Sequence, residues 1–195
     1  MTPPRRRASS PAAPARTEVR FAGYGGQGIA LMGLLAGKAA ALHDGKHAVF
    51  TQSYGPEARG GASSANVVVS PEEIDYPLLT KADVLVAMFQ EACDRYLPEL
   101  KSGGVLLYDA DLVKPRPGKY DAKAVPATRI AEGLGRKIVA NMVMLGAFSA
   151  ATGLVSARAL EEAVKTTVKP KTVELNLKAL AQGAAAAAST AGARV

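Results

Sequence analysis

The chain is poor in the residues that most catalytic chemistry uses. Its 195 residues include one cysteine, two histidines and no tryptophan. A lone Cys93 excludes an intramolecular disulfide, and it excludes a zinc or iron–sulfur site built only from cysteines of this chain. His43 and His47 are separated by a glycine and an expected helix end, with no third ligand near them in sequence. They read as surface histidines, not as a metal pair. No stretch approaches the roughly 18–20 apolar residues of a membrane span, because the most apolar one, Ile138 to Ala151, is broken by Asn141, Gly146 and Ser149. These absences point to one domain in a reducing, cytoplasmic setting with no membrane contact.

Charge of one sign is also scarcer than it looks. The formal net charge is +7, but four arginines among the first 17 residues, with no acid between them, leave only +3 on the rest. A nucleic-acid surface would need a basic stripe with aromatics for stacking, and the four Phe and six Tyr are scattered. Residues 1–17 read as a disordered basic tail rich in Pro, Ala and Arg. No apolar run follows the arginines, as a secretory signal would require, and the prolines spoil the amphipathic helix of a mitochondrial presequence.

What is present is an alternation of strand and helix signals. Val19, Phe21 and Ala22 run into Gly23-Tyr24-Gly25-Gly26-Gln27-Gly28, after which apolar residues recur at helical spacing to about Leu42. Strands are expected at Ala48–Thr51, Val67–Val69, Asp83–Met88, Val105–Tyr108 and Lys123–Pro126. Helices are expected at Glu91–Leu100, Thr128–Leu134, Asn141–Thr152, Ser156–Val168 and Thr172–Ala188. The pattern predicts an α/β fold of Rossmann-like type, an open and mainly parallel sheet with helices on both faces. The domain is expected to span 18–182, followed by an Ala-rich tail over 183–195.

Gly23 to Gly28 satisfies G-x-G-x-x-G directly after a strand and at the start of a helix. Glycines there let the backbone turn tightly and approach an anion, and free N–H groups at the helix start favour phosphate or carboxylate. A tight turn with no ligand has the same pattern. An NAD site would also need an acid about 20 residues on, at the end of the second strand, where this chain has Val49-Phe50-Thr51-Gln52-Ser53. No Gly-Lys-Ser/Thr ends the loop, so it is not a P-loop. A second loop, Ser53-Tyr54-Gly55-Pro56-Glu57-Ala58-Arg59-Gly60-Gly61, is expected at the same sheet edge. Its Arg59 can present a guanidinium to phosphate or carboxylate with little obstruction, or pair with Glu57. Cys93 reads as a structural thiol, since no activating base is near. Asp109 and Asp111 are expected to cap or turn the chain. Asn141 is expected as the N-cap of an apolar helix, the alternative being an amide aimed into an inter-subunit site.

Together with Ile74-Asp75-Tyr76-Pro77 and Ala82-Asp83-Val84-Leu85-Val86-Ala87, these loops resemble the gamma subunit of the 2-oxoacid:ferredoxin oxidoreductases. The Tyr54–Gly61 wording is most similar to the 2-oxoglutarate type. The resemblance implies a part in the oxidative decarboxylation of a 2-oxoacid with coenzyme A, giving acyl-CoA, carbon dioxide and reduced ferredoxin. It implies thiamine diphosphate, Mg2+ and [4Fe–4S] clusters on alpha and beta subunits, with or without a delta subunit. This chain lacks the Gly-Asp-Gly motif of thiamine enzymes, so it is expected to hold none of these cofactors alone. By the same resemblance, Gly23, Gly25, Gly26, Gln27, Gly28, Ser53, Tyr54, Gly55, Glu57, Arg59, Gly60 and Gly61 face coenzyme A at the subunit interface. The competing reading is a free-standing dinucleotide- or flavin-binding module.

Overall fold

A computed structural model describes residues 16–52 and 62–189. Six strands form one sheet: β1 (Thr17–Tyr24), β2 (His47–Gln52), β3 (Ala62–Ser70), β4 (Ala82–Ala87), β5 (Leu100–Asp109) and β6 (Asp121–Val125). Their spatial order is β2-β3-β1-β4-β5-β6. β1, β4, β5 and β6 are parallel neighbours. β3 runs antiparallel to both β1 and β2, so it alone points against the other five strands. That reversal depends on long-range pairing, which the valine run of β3 cannot signal.

The helices are α1 (Ile29–Lys38), α2 (Gln90–Tyr96), α3 (Ala127–Gly133), α4 (Ala140–Thr152), α5 (Ala157–Thr167) and α6 (Val173–Ser189). A π-helical turn, Ala39–His43, prolongs α1. Helices cover both faces, but unequally, and side-chain alternation along the strands explains why. Val19 and Phe21 of β1 and Val84 and Val86 of β4 point into the larger core, shared with α1 and α3–α6. There Phe21 meets Phe148 edge to face, with ring centroids 5.3 Å apart, an arrangement worth about 1 kcal/mol beyond the area buried. Ala22, Leu85, Ala87 and Leu106 point the other way, where α2 contributes Ala92, Cys93 and Tyr96. Beside them lies a polar cluster: buried Arg20 pairs with Glu99, donates to Asn66 Oδ1 at 2.9 Å and lies over the Tyr96 ring.

The packing of α4 on α6 rests on two glycines. A Cβ on Gly146 would lie 2.0 Å from the Leu180 carbonyl oxygen, and one on Gly183 would lie 1.8 Å from that of Val143. The two backbones therefore touch directly. The expected end of the domain at 182 falls inside α6, because the Ala-rich stretch is a strong helix former and Gly183 is buried against α4. Tail residues 1–15 and 190–195 lie outside the described residues. No helix among the described residues is long and apolar enough to cross a membrane.

Candidate functional site at the carboxyl edge of the sheet

The glycine loop leaves the carboxyl end of β1, the side on which open α/β sheets bind ligands. Gln27 N–H donates to the Tyr24 carbonyl at 3.1 Å, closing a turn in which Gly26 takes φ 98°. Positive φ at this position calls for glycine. Gly28, at φ 77°, precedes the first turn of α1, and no side chain caps that helix. The N–H groups of Ile29, Ala30 and Leu31 make no hydrogen bond among the described residues, and the first intrahelical bond runs from Met32 N–H to the Gly28 carbonyl. Unsatisfied donors at the positive end of a helix dipole suit an anion.

Gly23, Gly25, Gly26, Gln27 and Gly28 thus form the turn between β1 and α1. The Gln27 side chain, however, is committed at both ends. Its Oε1 accepts from Tyr24 N–H at 2.7 Å, and its Nε2 donates to the Met88 carbonyl at 3.0 Å. It ties the loop to the end of β4. Tyr24 is half exposed and packs on Phe89, with ring centroids 5.6 Å apart.

Ser53, Tyr54, Gly55, Glu57, Arg59, Gly60 and Gly61 lie outside the described residues. The residues flanking that segment are nonetheless at this edge, since Ala62 pairs with Tyr24 and Gln52 pairs with Ala65.

Beside the glycine loop opens a crevice of about 310 Å³. Gly26, Gln27 and Met88 form one wall, and Leu112, Thr128, Lys137, Ile138 and Ala140 the other. Ile138 is 56% exposed, unusual for an isoleucine beside a concave surface. None of the residues of that second wall was marked in the sequence, for they converge only where β5 ends and α3 and α4 begin at one edge.

Asp109 fixes part of this wall. Its Oδ2 accepts from Thr128 N–H at 3.1 Å and from Thr128 Oγ1 at 2.6 Å, and its Oδ1 accepts from Asp111 N–H at 3.0 Å. Burial raises the Asp109 pKa despite these bonds. Asp111 pairs with Arg129 at 2.6 Å, and this contact lowers the Asp111 pKa.

Asn141 is not the N-cap of α4. That position belongs to Val139, and Asn141 lies within the first turn, where its own Oδ1 accepts from Met142 N–H at 2.8 Å. The 3₁₀ turn Lys137–Val139 starts the helical path earlier than the apolar pattern suggests.

Cys93 is buried and burial pushes its thiol up to about 11. Among the described residues no group of three His, Cys, Asp or Glu is placed to hold a metal. The residues of this chain do not fit an iron–sulfur cluster. The sheet order also argues against a dinucleotide site. The neighbour of β1 on that side is antiparallel β3, not β2, which displaces the strand end that would carry the ribose-binding acid.

The sequence profile of the pyruvate ferredoxin/flavodoxin oxidoreductase family matches residues 18–186. The 2-oxoglutarate synthase subunit KorC of Methanothermobacter thermautotrophicus is 53% identical over 178 residues, covering 86% of this chain and 93% of that protein. The keto/oxoacid ferredoxin oxidoreductase gamma subunit of Geobacter sulfurreducens superposes with a TM-score of 0.83 at 48% identity, covering 90% of this chain and 98% of that one. The 2-oxoglutarate:ferredoxin oxidoreductase of Magnetococcus marinus, a structure with 2-oxoglutarate, coenzyme A and succinyl-CoA bound, superposes with a TM-score of 0.81 at 26% identity. It covers 91% of this chain but 32% of that one.

Proposed function

The chain belongs to the pyruvate ferredoxin/flavodoxin oxidoreductase family, and from that premise we propose that it is the gamma subunit of a 2-oxoacid:ferredoxin oxidoreductase. The reaction is the coenzyme A-dependent oxidative decarboxylation of 2-oxoglutarate or a close 2-oxoacid. The observation that carries this reading is the carboxyl edge itself, where an uncapped α1 N-terminus, a glycine loop pinned by Gln27 and a crevice with a lysine at its rim adjoin one another.

The division of labour follows from chemistry. Thiamine diphosphate on the partner subunits supplies the carbanion chemistry, and their [4Fe–4S] clusters carry electrons to ferredoxin. This chain binds and positions. Its glycine loop faces the interface with the alpha and beta subunits, where it and residues 53–61 contact coenzyme A. Arg59 contacts an anionic group there, a coenzyme A phosphate or a partner carboxylate. The setting is the cytoplasm, and the partners include ferredoxin.

Co-expression with the partner subunits tests the reading. The complex should co-purify, show an iron–sulfur spectrum and turn over a 2-oxoacid only when coenzyme A is present, while this chain alone should be colourless and inactive. Micromolar NAD(H) binding by the isolated chain would overturn it in favour of a dinucleotide carrier.

A further inference from the structure

Asn141 is 4% exposed, yet its amide is only half used. Oδ1 accepts from Met142 N–H, which fixes the orientation of the amide, since only oxygen can accept. Nδ2 makes no hydrogen bond among the described residues. It is directed at the start of α1, where a Cβ built on Gly28 would fall 2.2 Å from it. Every fully buried side-chain nitrogen and oxygen among the described residues has a partner, so Nδ2 still reaches open space. A buried amide held rigidly at one end and unpaired at the other is a donor awaiting an acceptor.

Its surroundings identify the acceptor. Gly28 is the residue from which α1 begins, and the N–H groups of Ile29, Ala30 and Leu31 behind it are unpaired among the described residues. Asn141 also adjoins Ala140, which lines the crevice with Lys137. We propose that Asn141 Nδ2 and the free N–H groups of α1 together bind an anionic oxygen of a substrate of the complex, either a coenzyme A phosphate or the carboxylate of the 2-oxoacid. The inference rests on the gamma-subunit reading and assigns a ligand contact within it. It also gives a second reason for glycine at 28 besides φ: any side chain there would displace the donor amide.

Asn141→Asp is the discriminating variant. Aspartate keeps the acceptor oxygen for Met142 N–H, and a negative charge in the first turn of α4 suits that helix dipole, so the fold is retained. It replaces the donor by a charge that repels an anion. In the assembled complex, the KM for the ligand that contacts Asn141 should rise about tenfold or more, with a smaller change in kcat. A rise confined to coenzyme A identifies the phosphate, and a rise confined to the 2-oxoacid identifies the carboxylate. Asn141→Ala, which removes the amide without adding charge, should raise the same constant by less. Unchanged KM values for both substrates with both variants overturn the proposal, and so does failure of both variants to assemble where the wild type does, since Asn141 is then purely structural. A wild-type chain that neither assembles nor supports turnover fails differently: it overturns the gamma-subunit reading, and the inference with it.

Discussion

The two ends of the parallel strands each carry a cavity, and they differ in what their polar groups are doing. At the amino end a cleft of about 550 Å³ is lined by Lys46, Asp83, Lys101, Gly103 and Leu154, among others. It is the larger of the two, but its charges are spent. Lys101 pairs with Asp83 at 2.8 Å, and Lys46 Nζ donates to the Leu154 carbonyl at 2.5 Å near the end of α4. At the carboxyl end the crevice is smaller, yet it adjoins an uncapped helix, the Asn141 amide with its nitrogen unpaired and a lysine held only loosely, at 3.6 Å from Glu132. Uncommitted donors mark a binding site better than volume does, because a donor already paired within the protein gains little by exchanging its partner.

Helix starts show the same contrast. Ser156 caps α5 by accepting from Ala159 N–H at 3.1 Å and is itself held by Asp44. α1, like α2, α3 and α4, has no side-chain cap. In α3, however, the first-turn N–H groups of Thr128 and Arg129 are taken by Asp109 and Asp111, whereas those of Ile29, Ala30 and Leu31 in α1 have no partner among the described residues.

Five substitutions sharpen or break the contrast between the two ends. The largest effect belongs to Gly183→Ala, which drives a methyl group into the Val143 carbonyl and forces α6 off α4. Since α4 contributes to both cavities, both ends should suffer, with stability falling by about 3 kcal/mol or more in urea unfolding.

Next come two left-handed glycines at opposite ends. Gly28 and Gly103 have φ of 77° and 79°, but a Cβ on Gly28 collides with Asn141 whereas one on Gly103 meets nothing within 4 Å. Gly103→Ala should cost about 1 kcal/mol and leave turnover of the complex intact. Gly28→Ala should cost roughly 2–4 kcal/mol and reduce turnover as well. Equal losses of activity would break the distinction.

Asp109 gives a smaller, pH-dependent effect. Burial raises its pKa above the ordinary 3.8, so the folded chain binds this proton more readily than the unfolded chain does. The resulting stabilisation is fully present below 3.8 and is lost as pH rises through the elevated value. The melting temperature of wild type minus that of Asp109→Asn should therefore increase as pH falls from neutral toward 3.8, and a difference that stays flat would contradict the assignment. The smallest effect is that of Lys101→Met at the amino end. Its ion pair with Asp83 is partly exposed, so stability should change by less than about 1 kcal/mol and turnover not at all.

Much of this was legible locally. The unbroken apolar run of β4, buried on both faces, and the glycine loop between β1 and α1 each carry their signal within a few residues. Asp109 and Asp111 act as turn and cap residues, as their place at a strand end suggested. The rest depends on partners remote in sequence. The direction of β3 follows from pairing with β1 and β2, the end of α6 from a glycine contact with α4, and the crevice from Met88, Leu112, Thr128 and Lys137 meeting from four separate stretches of the chain. An asparagine before an apolar run usually caps the helix, and only the helix start decides between that role and an amide aimed into an inter-subunit site. A short 3₁₀ turn ahead of it moved the helix start, and the amide was freed to face Gly28.

Hydrogen exchange on the assembled complex, with and without coenzyme A and the 2-oxoacid, decides which end of the sheet meets substrate. The N–H groups of Ile29, Ala30 and Leu31 have no hydrogen-bond partner among the described residues, so they should exchange quickly until a ligand covers them. Adding substrate should protect residues 24–31 and 137–141 and leave 101–105 unchanged. Protection confined to 101–105, with the glycine loop still exchanging freely, would put the functional end of this subunit at the opposite edge of the sheet.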